Sequence, residues 1–276
     1  MRSIDTVKNK NGVCYLRCQA LSPCPHGFST RVGGLSTHPD TATLNLGLGY
    51  ADDADTVRRN LALLAEAVGF DTKTLVSVKQ IHSTLVRTVS AADAGLGYER
   101  EADFCCDGYV TRERGVTLGV RTADCVPMLA AAIDEQGTPY AVGAFHAGWR
   151  GSVAGIAAEG VRAMRALGAC TEHIHVCMGP AILSCCFEID EAARDIFVRC
   201  MGKERTERFV RPRVSDAAHF LADLYGINRA FLQDEGVDFA KIHQADLCTR
   251  CRDDLFYSHR RSALQRGTQL SVICLP

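Results

Sequence analysis

Apolar residues follow two different periods along the chain. Val57, Leu61, Leu64, Ala65 and Val68 recur at i, i+3, i+4 spacing after Asp52-Asp53, and Gly69 stands where a C-terminal cap belongs, so the pattern predicts a helix. The same period predicts a second helix from about Ser152 to Leu167, closed by Gly168, and two more over about Glu191 to Cys200 and Asp216 to Gln233. Short apolar runs predict strands at Leu75 to Ile81, Leu85 to Val89, Val116 to Thr122, Val126 to Ile133, Tyr140 to Phe145, Ile174 to Met178 and Leu270 to Leu275. Gln136-Gly137-Thr138-Pro139 reads as the turn between two of them. Strands gathered between Val116 and Phe145, with helices placed irregularly around them, predict an α+β fold rather than a regular α/β alternation.

Length and composition narrow the class. A chain of 276 residues buries roughly 70–75% of the surface its unfolded form exposes, enough for a core without disulfide staples. No repeat or low-complexity linker interrupts it, which predicts a single domain. Lys+Arg (31) and Asp+Glu (32) cancel to a net charge of -1, so no cationic excess is available for a phosphate backbone and nucleic-acid binding is not expected. The first ten residues carry no apolar core of a signal peptide, and nowhere do 18 consecutive apolar residues occur, which predicts a cytoplasmic protein with no membrane partner. In a reducing compartment the 14 cysteines are not a disulfide framework, and most should be small packing residues.

Three segments place a possible metal ligand at the end of a strand-like run. They are the segments around His82, around Cys125 and around His146. Polar groups buried there without partners would cost about 1–3 kcal/mol each. Two imidazoles and a thiolate suit a tetrahedral Zn²⁺ with one position left open for water or substrate. A buried cysteine with two hydrogen-bonded histidines accounts for the same residue types, because the intervals match no local zinc-finger pattern. His146-Ala147-Gly148-Trp149-Arg150-Gly151 adds a glycine-flanked guanidinium at a helix start, which fits an anion such as phosphate or, equally, a turn with a solvated arginine.

Ordered blocks then identify a family resemblance. His26-Gly27-Phe28-Ser29-Thr30-Arg31 with Gly33-Gly34, Leu44-Asn45-Leu46-Gly47, Gln80-Ile81-His82, Thr122-Ala123-Asp124-Cys125, His146 to Gly151, Gly179-Pro180-Ala181-Ile182 with Cys185-Cys186-Phe187-Glu188-Ile189, and Tyr257-Ser258-His259-Arg260-Arg261 together resemble the laccase-domain or polyphenol-oxidase-like family. The resemblance divides the chain into an N-terminal segment, residues 1–25, and a domain over residues 26–276. It implies a layered α-β-β-α sandwich with mixed sheets. It also implies a purine nucleoside phosphorylase acting on adenosine, inosine, guanosine and methylthioadenosine with phosphate, accompanied by adenosine deaminase activity. His82, Cys125 and His146 would then be both the zinc ligands and the catalytic centre, with copper as a possible substitute.

Carried over residue by residue, the resemblance nominates Arg31 and Arg150 for phosphate or another substrate anion. It nominates Asn45 for ribose or base, and Arg260 or Arg261 for closing the site. Asp124 and Glu188 are nominees for a proton shuttle, with a structural ion pair as the competing role. His259 stands where the family more often has tyrosine, and Arg266-Gly267-Thr268-Gln269 replaces its usual Thr-Gly-Arg order. Relatives are also described as peptidoglycan editing factors, so a cysteine hydrolase or amidase using Cys125 and a histidine is the rival reading. A multicopper laccase fits poorly, since only His173-Ile174-His175 has the His-x-His spacing. Trp149 could stack on a purine or anchor the core, and Cys248-Thr249-Arg250-Cys251, like Cys185-Cys186, reads mainly as packing. The oligomeric state is not legible.

Overall fold

The computed structural model describes residues 4–214 and 216–276. Two six-stranded mixed sheets stack face to face. The first runs in the order Ile4–Lys8, Cys14–Cys18, His26–Ser29, Gln269–Cys274, Thr117–Thr122, Leu75–Val76. The second runs Ile242–Gln244, Ile174–Met178, Val126–Ile133, Pro139–Ala147, Gly108–Thr111, Val86–Thr88. A small third sheet joins Glu188–Asp190, Asp216–Ala222 and Val210–Arg213. The last strand of the chain, Gln269–Cys274, therefore lies inside the first sheet, hydrogen-bonded on one side to His26–Ser29 and on the other to Thr117–Thr122.

Three apolar layers follow from this stacking. Between the sheets, Phe28, Leu118, Val120 and Ile273 meet Leu129, Ala131, Val142 and Ala144. Outside the first sheet, Val57, Leu61 and Leu64 of the helix Ala54–Val68 pack on Leu75, Leu270 and Val272. Asp53 caps that helix by accepting from the Thr56 amide at 2.8 Å, and Gly69 closes it at φ 92°. Outside the second sheet, Ile156, Val161 and Met164 of one helix and Leu224, Ile227 and Leu232 of another cover Val126, Met128, Ala130 and Phe145. The result is the expected α-β-β-α sandwich. Residues 4–18 of the N-terminal segment supply two strands at one edge of the first sheet.

Local differences from the expected elements have identifiable causes. The helix expected from Ser152 is two helices, Trp149–Ala154 and Ile156–Ala166, broken at Gly155 in the left-handed region at φ 90°. The helix expected from Asp216 begins only at Leu224, where the Asp223 carboxylate accepts from the Gly226 amide at 3.0 Å. Asp216–Ala222 instead pairs as a strand with Glu188–Asp190 and Val210–Arg213. The strand expected over Leu75 to Ile81 stops at Val76, and the chain then runs irregularly to His82. No helix among the described residues is long and apolar enough to cross a membrane.

Candidate active site

Strand parity delivers the site. Along Val126–Ile133 and Pro139–Ala147, Met128, Ala130, Ala141 and Phe145 face the helices, while Leu129, Ala131, Val142 and Ala144 face the other sheet. Asp107, Cys125 and His146 continue the second set at one end of the sheet. Pairing of Gly108 with Phe145 and of Pro127 with His146 brings them together, and the His146 amide donates to the Asp107 carbonyl at 2.7 Å.

His82 arrives from the irregular segment after the first sheet, with its backbone at φ 60°. The buried Asp107 carboxylate holds that turn. It accepts from the amides of Ile81 (3.3 Å), His82 (2.9 Å) and Ser83 (2.7 Å), from the Ser83 hydroxyl (2.6 Å) and from His146 Nδ1 (2.8 Å). With Nδ1 committed to Asp107, His146 has Nε2 free for a ligand, the arrangement that orients metal-binding imidazoles. His82 Nε2 lies 3.8 Å from Cys125 Sγ, and the ligand atoms of His82, Cys125 and His146 all lie within 4.8 Å of one another. A tetrahedral zinc ion at its usual bond lengths sets an N···S edge of about 3.6 Å, so the donor set fits such an ion. Gly148 leaves the room for it: a Cβ there would come within 2.5 Å of His82 Cδ2 and 3.4 Å of Cys125 Sγ.

The electrostatics of the three groups are coupled. Burial raises the Asp107 carboxyl, but the hydrogen bonds from His146 and Ser83 outweigh it and hold the group down at about 2. Burial likewise raises the Cys125 thiol, yet the charge of His146 and hydrogen bonds from both histidines bring it down to about 6. Burial lowers His146, and the Cys125 and Asp107 charges more than reverse that, pushing it up to about 9. Between about pH 6 and 9 these shifts favour a Cys125 thiolate beside a His146 imidazolium.

These residues sit in a cleft of about 910 Å³, within the usual range for small-molecule sites. Five cationic side chains line it: Lys79, Arg121, Arg150, Arg260 and Arg266. The nearby acids are engaged elsewhere. Asp124, at φ 101°, accepts from the Thr249 hydroxyl and the Arg260 amide, both at 2.6 Å. Glu188 pairs with Arg213, and Asp190 caps the helix Glu191–Met201. Neither Asp124 nor Glu188 is a free carboxylate poised to shuttle a proton.

The nominated binding residues separate into two groups. Arg150 and Arg260 line the cleft, Arg150 lying 4.1 Å over the Trp149 ring. Arg31 does not line it: the guanidinium donates to the Ala42 carbonyl at 2.9 and 2.6 Å and to the Asp253 carbonyl at 3.2 Å, and lies over Tyr257. Arg261 is likewise spent on the carbonyls of Thr249, Arg250 and Phe256. Asn45 is fully buried and bonded to Gly47, Asp52 and the Thr268 amide, so it positions the loop and strand that carry Gly47 and Thr268 to the cleft rather than reaching into it. Trp149 stacks on Phe197 at 5.7 Å, which makes it an anchor at the cleft edge. The helix after Gly148 has only six residues, leaving Arg150 to carry any anion binding at that point.

Sequence reasoning passed over Asp107, Arg121, Lys79 and Arg266. The signal for Asp107 was an Asp-Gly pair entering a strand, combined with the need of a metal-bound histidine for a carboxylate partner. Arg121 carried none, because it looks like one polar residue in an apolar strand.

The family model for "multi-copper polyphenol oxidoreductase laccase" matches residues 25–276. Purine nucleoside phosphorylase YlmD of Geobacillus stearothermophilus is 34% identical over 273 residues, covering 94% of this chain and 93% of that protein. Its crystal structure superposes with a TM-score of 0.85 at 32% identity, covering 98% of each chain. Adenosine deaminase RL5, from an unknown prokaryotic organism, is 35% identical over 248 residues, 89% of this chain and 92% of that protein. Purine nucleoside phosphorylase LACC1 of Mus musculus is 33% identical over 257 residues, or 91% of this chain, which spans only 55% of that longer protein. On the family match and this coverage, the chain belongs to the multi-copper polyphenol oxidoreductase laccase family.

Proposed function

We propose that this chain is a zinc-dependent purine nucleoside phosphorylase, converting adenosine, inosine, guanosine or methylthioadenosine and phosphate to free base and ribose 1-phosphate, with adenosine deamination as a second activity. The observation that carries the reading is the convergence of His82, Cys125 and His146, backed by the buried Asp107, in a cleft lined by five cations. The names of the prokaryotic relatives support the substrate class.

Phosphorolysis needs an anion held against the ribose, its charge neutralised, and the departing purine stabilised. Arg150 and Arg260 suit the first two tasks, with Arg121 and Arg266 nearby. Arg266 lines the cleft with its guanidinium steadied by the Gly267 carbonyl at 2.9 Å. When bound to the three ligands, zinc supplies Lewis acidity toward a substrate or water oxygen. Asp107 fixes the His146 tautomer and the His82 turn, and Gly148 leaves room for the His82 ring. A cytoplasmic setting is consistent with the free thiols.

A product assay tests the reading. Purified protein given adenosine should form ribose 1-phosphate and adenine only when phosphate is present, and a separate inosine product without it. Absence of both products refutes it. The low thiol pKa of Cys125 beside His146 favours one second reading, a cysteine hydrolase acting on a cell-wall precursor. Full activity in metal-free protein, abolished by alkylation of Cys125, would establish that reading instead.

A further inference from the structure

A second cluster of thiols lies behind the cleft wall. Cys185 and Cys186, in the turn after Leu183, meet Cys248 and Cys251 from a C-x-x-C turn more than sixty residues later in the sequence. All four Sγ atoms lie within 4.8 Å of one another. The Cys185–Cys186, Cys185–Cys251 and Cys186–Cys251 separations are 3.7, 3.8 and 3.4 Å. A zinc ion with four sulfurs at its usual bond length has S···S edges of about 3.8 Å. These edges close around one ion, and they are well beyond the ~2.05 Å of a disulfide.

Apolar packing accounts for Cys248 in the core and in part for Cys186, but not for Cys185 and Cys251, which are exposed. The surroundings instead suit a thiolate group. Arg250 places a guanidinium nitrogen 3.6 Å from Cys186 Sγ. The two turns are already in register, since the Thr249 amide donates to the Ala181 carbonyl at 3.0 Å.

We propose that Cys185, Cys186, Cys248 and Cys251 form a second metal site, separate from His82, Cys125 and His146, that takes one zinc ion in an all-thiolate tetrahedral shell. Four sulfurs leave no open position, so the role is structural. The ion fastens the turn that leads into Phe187–Asp190, on the cleft wall, to the turn whose Thr249 holds Asp124. Arg260 ties into the same junction, donating to the Cys186 carbonyl at 3.4 Å. This assignment rests on the thiols alone and stands whatever substrate the cleft accepts.

The test is a metal count on the full chain, purified under reducing conditions without chelator. Wild-type protein should hold two equivalents of zinc, and His82→Ala and the double variant Cys248→Ser/Cys251→Ser one each. Cobalt-loaded His82→Ala should show the thiolate charge-transfer bands of a four-sulfur site. An equal metal content in wild type and the cysteine double variant overturns the proposal. Should the double variant fail to fold, alkylation of the wild type decides: the exposed Cys185 and Cys251 should resist reagent until chelator is added. Their free reaction in metal-loaded protein, or recovery of a Cys186–Cys251 disulfide from it, overturns the assignment.

Discussion

Asp107→Asn tests whether one buried carboxylate organises the centre. In the protein, Oδ2 accepts from the Ile81 and Ser83 amides and the Ser83 hydroxyl, while Oδ1 accepts from the His82 amide and His146 Nδ1. Asparagine keeps one acceptor oxygen. If that oxygen stays with Ser83, the new NH₂ faces His146 Nδ1, which must become the acceptor and move its proton to Nε2, the atom needed for the metal. If the oxygen stays with His146, two backbone amides are left without an acceptor at about 1–3 kcal/mol each. Either outcome weakens zinc binding by about 10–100-fold, or about 1.4–2.7 kcal/mol. Chelator competition at neutral pH measures this directly. The metal-free variant should also lose an acid transition. A carboxyl held at about 2 against an unfolded value near 3.8 contributes about 2 kcal/mol, present above pH 4 and lost as pH falls through 2. A zinc affinity for Asp107→Asn within about threefold of wild type, well short of the expected loss, would falsify the assignment of Asp107 to this role.

Three further outcomes follow from the same geometry. Gly148→Ala drives a Cβ to 2.5 Å from the His82 ring, so zinc content should drop while the fold, read by circular dichroism, persists; full zinc retention refutes the close approach. His146 carries a proton below about 9 and Cys125 is a thiolate above about 6, so zinc binding between those values displaces a proton from His146. The apparent dissociation constant should therefore fall by about tenfold per pH unit as pH rises through that window, and a flat profile counts against the ion pair. Arg31→Met should lower the unfolding free energy by about 1–3 kcal/mol with the phosphate KM unchanged, whereas Arg150→Met should raise that KM by about tenfold at normal stability. The reverse pattern would put Arg31 at the anion site after all.

What the sequence reveals depends on whether a signal is local. The helix Ala54–Val68 and the strands Val126–Ile133 and Ile174–Met178 are readable because period, cap and length agree within one segment. The strand Asp216–Ala222 is not, because its pairing with Glu188–Asp190 and Val210–Arg213 overrides a pattern that continues smoothly into the helix behind it. The grouping of His82, Cys125 and His146 was visible as a set of suitable ligands, but their proximity depends on strand register and was supplied by the family resemblance. Arg31 shows the converse hazard. A basic residue in a matching motif looked like a ligand for phosphate, and the tertiary structure spends it on two loop carbonyls. Cys185-Cys186 and Cys248/Cys251 read separately as packing because no second pair lies at finger spacing, whereas the fold joins the two turns through the Thr249 amide and the Ala181 carbonyl.

Placing Gln269–Cys274 between His26–Ser29 and Thr117–Thr122 has a consequence for biosynthesis. A growing chain can assemble the hairpin of Val126–Ile133 and Pro139–Ala147 early, but the first sheet keeps a gap at its centre until residue 274 has left the ribosome. Thr249 and Arg260, which grip Asp124 from 125 and 136 residues away, arrive almost as late. His82, Cys125 and His146 are thus synthesised long before the wall beside them exists, and completion of the site waits for residues 249–274. Ribosome-stalled chains with only residues up to about 250 emerged should leave the first sheet protease-sensitive, and stalled chains with residue 274 emerged should gain its protection in one step.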